Sequence, residues 1–349
     1  MSTPPTKILV VRNDKLGDFM LSLPSFALLK RALPDTLIHA LLPDYTREIA
    51  LACPYINAVI HDPGPAADRP AQLAMRKAIQ AQHYDAALTL FSTSRIGWCL
   101  WRAGIPYRLA PATKLAQLFY NHHLRQHRSE SAKPEYSYNL DLAKKLLFDV
   151  GVTAAVDLQP PYLQFAADEV ARLKQQFLQQ HHIPADHRLL VMHPGSGGSA
   201  VNLSLQQYAQ LAHALRGAKP FTIVISVGPT ERERGTQFAA LLGEIPHVLY
   251  SSEQGLVMFA KHLQFADLFI SGSTGPLHIA GALNRPTVGF YPRRRSATAL
   301  RWQTLSSDDR RLAFSPPQNS EEESMQGIDL ESCAQEILRR LYGEEKIAQ

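Results

Sequence analysis

Two carboxylates follow the first apolar run of the chain and could do acid–base chemistry. The segment 12–18 reads RNDKLGD, which places Asp14 and Asp18 four residues apart. A carboxylate at such a turn can act as a general base, and Gly17 permits a close approach between backbone and ligand. Asp14 could instead cap the following helix, and Asp18 could stabilise its dipole. The local residues leave both interpretations open.

A segment rich in glycine and serine, HPGSGGS at 193–199, could bind the oxygens of a diphosphate. Such loops offer backbone N–H groups and hydroxyls to phosphate. The segment also fits the pattern G-x-G-x-x-A of dinucleotide-binding folds. A nicotinamide-binding fingerprint, however, requires an acid at the end of the second strand, and here GPT at 228–230 comes before Glu231. A plain connecting loop is the remaining alternative.

A third segment, ISGSTGPLHIA at 270–280, is the strongest local signal. Ser273 or Thr274 can cap a helix that begins here, and Pro276 stands where proline is tolerated in a first helical turn. Helix N-termini bind anions through free N–H groups and the helix dipole. The segment predicts an anion site lined by hydroxyls and a histidine. The alternative is a well-capped helix with His278 in its packing.

The positive charge of the chain is concentrated in its first half. There are 36 lysines and arginines against 31 acidic residues, a net charge of +5. Residues 1–150 hold 18 basic and 12 acidic side chains, and the stretch Ala86–Ser129 has no acid at all. Such a stretch favours phosphate-rich partners, although a solvated face of unbalanced charge is the simpler interpretation.

The sequence lacks the signatures of several common enzyme classes. It has no P-loop, no H-E-x-x-H and no G-x-S-x-G. It also has no D-x-D, so we expect a diphosphate to be bound by backbone amides and cations, with no metal and no cofactor; the arginines at 293–295 are candidates. Three isolated cysteines, and the lack of a signal peptide or long apolar run, favour a cytoplasmic protein.

Short apolar runs alternate with segments of helical period in both halves, which predicts parallel sheets covered by helices. The predicted strands are 7–12, 36–42, 57–61, 84–91, 189–193, 221–227, 247–250, 268–271 and 287–291. The predicted helices are 16–33, 45–53, 71–81, 167–180, 205–215, 231–242, 255–262, 276–283 and one after 328. We expect an α/β protein of two doubly wound domains, residues 1–160 and 161–349, with the break at Pro160-Pro161. Residues 306–327 are predicted as a surface loop, and the last helix could return toward the first domain.

Four motifs together resemble glycosyltransferase family 9, the ADP-heptose:lipopolysaccharide heptosyltransferases. They are RNDKLGDFMLSLP at 12–24, HPGSGGS at 193–199, VGPTERE at 227–233 and SGSTGPLH at 271–278. The motifs occur in family order and spacing across most of the chain. The resemblance implies a GT-B fold of two Rossmann-like domains facing a central cleft. It also implies that the first domain binds the acceptor and the second binds the sugar-nucleotide donor.

By this resemblance Asp18 is the catalytic base, and Glu231 matches the acid that contacts the adenosine ribose. The positions that match donor-binding motifs are His193, Gly195, Ser196, Gly197, Ser199, Glu231, Ser273, Thr274, Gly275 and His278. The acceptor candidates are the basic residues Lys15, Arg95, Lys114 and Arg125. Two departures fall on the donor side. Many relatives have a basic residue, one further position and Trp-Pro where this chain reads VNLS at 201–204, and they often have Asp in place of Ser273.

The resemblance implies an inverting, metal-independent transfer of heptose from ADP-heptose to the inner core (Kdo/heptose–lipid A) of lipopolysaccharide. The enzyme would be cytoplasmic and contact the inner membrane peripherally, with no nucleic-acid partner. One alternative within the family is another sugar-nucleotide donor. Alternatives from other classes are a non-catalytic sugar-nucleotide-binding protein and a nicotinamide oxidoreductase, which should show the missing ribose acid.

Overall fold

The computed structural model describes residues 4–113, 115–153, 155–195, 197–198, 200–216 and 219–342. The chain forms two compact units that divide between Leu163 and Gln164. This division lies in the connection that contains Pro160-Pro161, close to the predicted boundary. Each unit contains one six-stranded sheet.

The first unit is doubly wound. Its strands are β1 Lys7–Val11, β2 Leu37–Leu42, β3 Ala58–His61, β4 Ala86–Thr89, β5 Tyr107–Pro111 and β6 His122–Leu124. Its helices are α1 Leu16–Met20, α2 Leu23–Ala32, α3 Arg47–Leu51, α4 Arg69–Gln80, α5 Ser94–Arg102 and α6 Glu135–Asp149, with 3₁₀ turns at Asp44–Thr46, Leu115–Phe119 and Arg128–Glu130. The strand order is β3-β2-β1-β4-β5-β6, with parallel pairings throughout. This order reverses between β1 and β4, and ligands of such sheets bind at that point, beyond the carboxyl ends of the strands.

The second unit repeats this architecture. Its strands are β7 Arg188–His193, β8 Phe221–Val227, β9 His247–Ser251, β10 Leu268–Gly272, β11 Thr287–Phe290 and β12 Arg311–Phe314. Its helices are α7 Ala167–Gln180, α8 Leu205–Ala214, α9 Arg232–Leu242, α10 Gly255–Gln264, α11 Gly275–Ala282 and α12 Leu330–Tyr342, with 3₁₀ turns at Arg295–Ala297 and Asp308–Arg310. The order β12-β11-β10-β7-β8-β9 places the reversal between β7 and β10. The two predicted phosphate loops follow these two strands.

The apolar run of β1 explains the layering of the first unit. Ile8 to Val11 are fully buried, as expected for a central parallel strand covered on both faces. Leu9 and Val11 pack in one cluster with side chains of α4 and α5. Side chains alternate along a strand, so the next residue on the opposite face is Arg12, which contacts α6. Helices α4 and α5 therefore cover one face of the sheet, and α6, packed on α2, covers the other.

Two sequence predictions are corrected here. The segment 16–33 is not one helix: α1 ends at Met20, and α2 begins at Leu23 with Pro24 in its first turn, where the missing N–H costs no helical hydrogen bond. The segment 306–327 is not wholly a loop, since β12 within it pairs with β11. Its four residues are partly exposed and lie at a sheet edge, so they give a weak strand signal.

The last helix belongs to the core of the second unit. Its residues Cys333, Ala334 and Ile337 are buried in the same cluster as Leu211 of α8. The last helix thus packs on α8 within its own unit, and its return toward the first domain stays a prediction. Within the described ranges, no helix is long and apolar enough to cross a membrane.

Candidate active site

The loop after β1 contains a buried arginine that binds three carboxylates. Arg12 is 2% exposed. Its Nη2 lies 2.5 Å from Asp18 Oδ1, its Nε lies 3.0 Å from Asp14 Oδ1, and its Nη1 lies 3.0 Å from Glu135 Oε1 at the start of α6. Burial disfavours the charged guanidinium, but the three carboxylates more than offset this and raise the pKa of Arg12 above its ordinary value. This cation therefore stays charged inside the unit.

Asp18, the predicted base, is one of the three carboxylates of this cluster. It lies in the first turn of α1, at the switch point of the sheet, with its side chain 14% exposed. Burial is the main reason that the pKa of Asp18 is raised to about 6; the neighbouring Asp14 and Glu135 act in the same direction, and Arg12 acts against them. A carboxylate with such a pKa is ionised near neutral pH yet basic enough to accept a proton.

The interpretation of Asp14 as a helix cap is wrong. The N-cap residue of α1 is Lys15, and it makes no side-chain capping bond. The Asp14 carboxylate instead accepts a hydrogen bond from Arg12. An arginine two residues earlier in the chain thus outcompetes the backbone amides for this acid, because a charged hydrogen bond is the stronger one.

A second ion pair, between Arg95 and Asp62, connects α5 with the loop after β3, and Asp62 in turn contacts the loop after β1. Arg95 on α5 donates to both carboxylate oxygens of Asp62, at 2.8 and 2.6 Å, and Asp62 is itself buried. Asp62 also accepts a hydrogen bond from Asn13. Hydrogen bonds from Arg95 and Asn13 keep the pKa of Asp62 below its ordinary value, although burial acts in the opposite direction. Arg95, predicted to bind the acceptor, is engaged in holding the loops after β1 and β3.

Two of the remaining acceptor candidates, Lys15 and Arg125, are exposed to solvent. Lys15 is exposed at the N-cap of α1, three residues from Asp18. Arg125 is exposed directly after β6. Lys114 lies outside the described residues. Lys15 is therefore the basic candidate that stands next to the proposed base in the chain.

In the second unit, Asn202 joins the two predicted phosphate loops. Its Nδ2 donates to the carbonyl oxygens of Pro194 and Gly195, at 3.1 and 3.2 Å. Its Oδ1 accepts from the Gly272 N–H at 2.9 Å and from the Tyr208 hydroxyl at 2.7 Å. A side chain on Gly272 would approach this oxygen to 2.7 Å, which explains the glycine. The loops after β7 and β10 are thus held together by one amide.

Glu231 holds the glycine loop from its other side. Its Oε1 accepts from the Gly197 N–H at 3.2 Å, and its Oε2 accepts from the Gly228 N–H at 3.1 Å. A Cβ on Gly195 would overlap the Glu231 carboxylate, so the loop passes the acid only because residue 195 is glycine. One backbone amide expected to be free for phosphate is therefore used within the protein. Ser196 and Ser199 of this loop lie outside the described residues.

Two buried histidines of the second unit, His193 and His278, are neutral groups. His193 ends β7, with Nδ1 3.3 Å from the Ser226 hydroxyl and Nε2 3.9 Å from Glu231 Oε2. Burial lowers its pKa, although Glu231 acts in the opposite direction. Burial also lowers the pKa of His278 on α11 to about 4, and its Nδ1 has no hydrogen-bond partner among the described residues. His278 can therefore offer a hydrogen bond but not a positive charge.

The helix that follows β10 begins without a side-chain cap. Thr274 occupies the N-cap position of α11, but its hydroxyl lies 3.0 Å from the Ser271 hydroxyl and makes no capping bond. Gly275 is the first helical residue, and Pro276 in the first turn has no N–H to offer. Ser273, half-buried, precedes the cap. The first-turn amides and the helix dipole are thus available to an anion.

One cation stands beside the glycine loop. Arg234, in the first turn of α9, donates from Nε to the Pro194 carbonyl at 3.0 Å. Its Nη groups have no hydrogen bond to any residue that the structure describes. Arg234 lies one residue beyond the motif VGPTERE at 227–233, and Asn202 lies in the segment VNLS at 201–204, but neither was marked as a site residue; Glu135 carries no sequence signal at all.

In the described part of the chain, no group of three or more His, Cys, Asp or Glu side chains is arranged to hold a metal ion. Of the arginines at 293–295, Arg294 pairs with Glu323.

Comparisons with known proteins agree with this architecture. Residues 72–326 match the model of glycosyltransferase family 9 (heptosyltransferase). A Haemophilus influenzae protein, assigned to the glycosyltransferases by name alone, is 42% identical over 333 residues, 95% of both chains. Lipopolysaccharide heptosyltransferase 2 of Salmonella typhimurium is 24% identical over 82% of both chains. The structure of E. coli ADP-heptose lipopolysaccharide heptosyltransferase II superimposes with a TM-score of 0.77 and 20% identity, covering 97% of this chain and 99% of that one.

The family match and the fold together define a glycosyltransferase of the GT-B class, with two Rossmann-like units. This chain belongs to glycosyltransferase family 9, the heptosyltransferase family. The predicted fold class and family are thereby confirmed.

Proposed function

We propose that this protein transfers heptose from ADP-heptose to the inner core of lipopolysaccharide, with inversion at the anomeric carbon and Asp18 as the general base. The observation that carries the proposal is the state of Asp18: a mostly buried carboxylate with a pKa of about 6, held at the switch point of the first sheet. Family membership supports sugar transfer, and the heptosyltransferase names of several relatives support the donor and acceptor.

In this reaction Asp18 takes the proton of an acceptor hydroxyl while that oxygen attacks the anomeric carbon. The new C–O bond forms as the bond to the diphosphate oxygen breaks, and ADP leaves with the electron pair. Attack from the face opposite the leaving group inverts the configuration. A positioned base of this kind contributes about 10²–10⁴ in rate. Arg12 keeps Asp18 in place and favours its ionised form, because it offsets part of the cost of burying the carboxylate.

The departing diphosphate gathers negative charge, and three features of the second unit would stabilise it. These are the uncapped first turn of α11, the loop after β7 and the guanidinium of Arg234. Arg234 would supply the charge that many relatives carry at the position of Val201. His193 and His278 would contribute hydrogen bonds as neutral imidazoles, and Glu231 would reach the ribose hydroxyls from beside Gly197. No step of this scheme requires a metal.

The acceptor would be bound by the first unit, with Lys15 and Arg125 contacting its phosphates and carboxylates. Such an acceptor is anchored in a lipid bilayer, so the enzyme would work at the cytoplasmic face of the inner membrane as a peripheral protein. Positive side chains near that surface favour binding to anionic lipids.

The test is a donor screen read by mass spectrometry. ADP-heptose and other ADP- and UDP-sugars are each offered with defined Kdo-lipid A and heptosylated core acceptors, with and without excess EDTA. We expect heptose addition from ADP-heptose, unaffected by EDTA, and its loss in Asp18→Asn but not in the control Asp35→Asn, an exposed carboxylate of the same unit. Transfer from a different donor alone would refute the donor assignment. Donor binding without transfer to any acceptor would favour a non-catalytic binding protein.

A further inference from the structure

Four apolar side chains stand exposed on one face of the first unit. Trp98 and Trp101 on α5 are 43% and 50% exposed, and Leu115 and Leu118 in the following 3₁₀ turn are 75% and 76% exposed. We call these four residues the α5 patch. Each pair has a spacing of three residues, which places both members on the outward side of its helix. Contiguous apolar surface of this kind marks an interaction site.

The two segments of the patch lie side by side. At one end, the hydroxyls of Ser92 and Thr113 are 2.5 Å apart. At the other, the ring centroids of Trp101 and Phe119 are 6.4 Å apart. A Cβ on Gly97 would approach Phe119 and Tyr120 to within 3 Å. The small residue thus lets the 3₁₀ turn pack directly on α5. The buried side of α5, formed by Ile96 and Leu100, is used in the core, so the exposed side is not needed for folding.

Two arginines lie against the tryptophans of the patch. Arg76 lies over the Trp98 ring at 5.4 Å, and Arg102 lies over the Trp101 ring at 5.9 Å. Helices α4 and α5 and the 3₁₀ turn Leu115–Phe119 contain no acidic residue. Paired with Asp62, Arg95 is neutralised, but Arg76 and Arg102 have no carboxylate partner among the described residues.

We infer that the α5 patch docks on the surface of an anionic lipid bilayer. Tryptophan is favoured at the boundary between headgroups and acyl chains, and exposed leucines beside it add buried apolar area. Arginines at its rim would meet lipid phosphates, which accounts for the lack of acids. A second copy of this chain is the less suitable occupant, because facing patches would bring like charges together. The inference rests on the proposed function in one respect: the acceptor proposed there is a membrane lipid.

The experiment is cosedimentation with vesicles in the absence of donor and acceptor. Vesicles of equal parts phosphatidylglycerol and phosphatidylcholine are compared with phosphatidylcholine alone. The matched variants are Leu115→Glu/Leu118→Glu and Phe148→Glu. Phe148 is 78% exposed on α6, which covers the opposite face of the sheet, so it tests the same substitution elsewhere. All three substituted side chains are exposed, and thermal melts would verify that the variants fold.

We expect the parent to bind the anionic vesicles, and more weakly at high salt. The double leucine variant should lower the partition coefficient by about tenfold or more, while Phe148→Glu binds like the parent. Replacing Arg76 and Arg102 by Gln should cost about fivefold per residue. In a Trp302→Phe background, brominated lipids should quench the remaining tryptophans, Trp98 and Trp101.

Three results would overturn the inference: no binding to anionic vesicles, equal binding by the leucine variant, or a lipid-free dimer that this variant dissociates. A second assay, heptose transfer to a water-soluble, deacylated core acceptor, tests the proposed function without a membrane. It therefore distinguishes a failure of the proposed function from a failure of the docking inference. If the leucine variant retains that transfer but loses vesicle binding, both stand. If no heptose is transferred yet docking maps to the patch, the docking stands and the proposed function fails.

Discussion

Arg12 and Asp18 form an ion pair of 2.5 Å, and yet the pKa of Asp18 stands at about 6. The reason is that Arg12 is shared. Its guanidinium also binds Asp14 and Glu135, so a single positive charge faces three carboxylates inside the unit. The net effect on Asp18 is dominated by burial, and the arginine positions the carboxylate without suppressing its basicity.

The first prediction concerns the acid limb of the pH profile. Because Asp18 must be ionised to accept a proton, kcat/KM should fall as the pH drops below about 6. The Asp14 carboxylate raises the pKa of Asp18, so Asp14→Asn should move this limb to lower pH. Asp14 has 19% exposure in its side chain, so the variant should fold. An acid limb that stays in place in Asp14→Asn, or moves to higher pH, would contradict the role of Asp18.

The second prediction tests Arg234 as the cation for the diphosphate. Arg234→Ala should weaken ADP binding by about tenfold or more in calorimetry, since a charge-assisted hydrogen bond is worth about 1.5–3 kcal/mol. Arg232→Ala is the matched control, because this neighbour on α9 is exposed and faces Glu253 at 4.0 Å. Adding Val201→Lys to Arg234→Ala should recover part of the affinity. Equal ADP binding by the two alanine variants would show that Arg234 is a loop support only.

The third prediction concerns Gly195 and Glu231. A methyl group on residue 195 would overlap the Glu231 carboxylate, whereas one on Gly228 would lie 3.3 Å from it. Gly195→Ala should therefore lower the free energy of unfolding by about 1–3 kcal/mol and weaken ADP binding, with a smaller effect for Gly228→Ala. Denaturant titrations and calorimetry provide the two measurements. Adding Glu231→Ala should relieve the strain of Gly195→Ala; a double variant no more stable than Gly195→Ala would place the strain elsewhere.

The fourth prediction concerns the acceptor side. Reversing the charge of Lys114 and Arg125 together should raise the KM for acceptor and leave donor binding unchanged, because uniform binding loss appears in KM. Added salt should act in the same direction on the parent, since screening operates over about 8–10 Å at 0.1–0.15 M. Kinetics at low and high salt would measure this. If donor affinity falls instead, or acceptor KM is unchanged at both salt concentrations, the basic stretch is only a solvated face.

Local patterns in the sequence predicted most of the elements that build the site. The apolar runs that became β1, β7, β8 and β10 are long enough, and flanked by sufficiently clear turn residues, to be read without tertiary information. The loops that follow β1, β7 and β10 were predicted from glycine, serine and acid content. Edge strand β12 was missed because its short, half-buried run carries little periodicity.

The partners of the charged side chains were decided by the tertiary structure. Arg12 meets Glu135, 123 residues further along the chain, because the strand order places β1 beside β4 and helix α6 packs on β4 and β5. In the same way, Arg95 pairs with Asp62, and Asn202 bridges loops after two strands that are neighbours only in the folded sheet. Secondary structure follows from spacing along the chain, whereas pKa values and ion pairs follow from distances and burial that exist only after the sheet has formed. The sequence thus determined where a base could stand, and the fold determined that Asp18 has the pKa to be one.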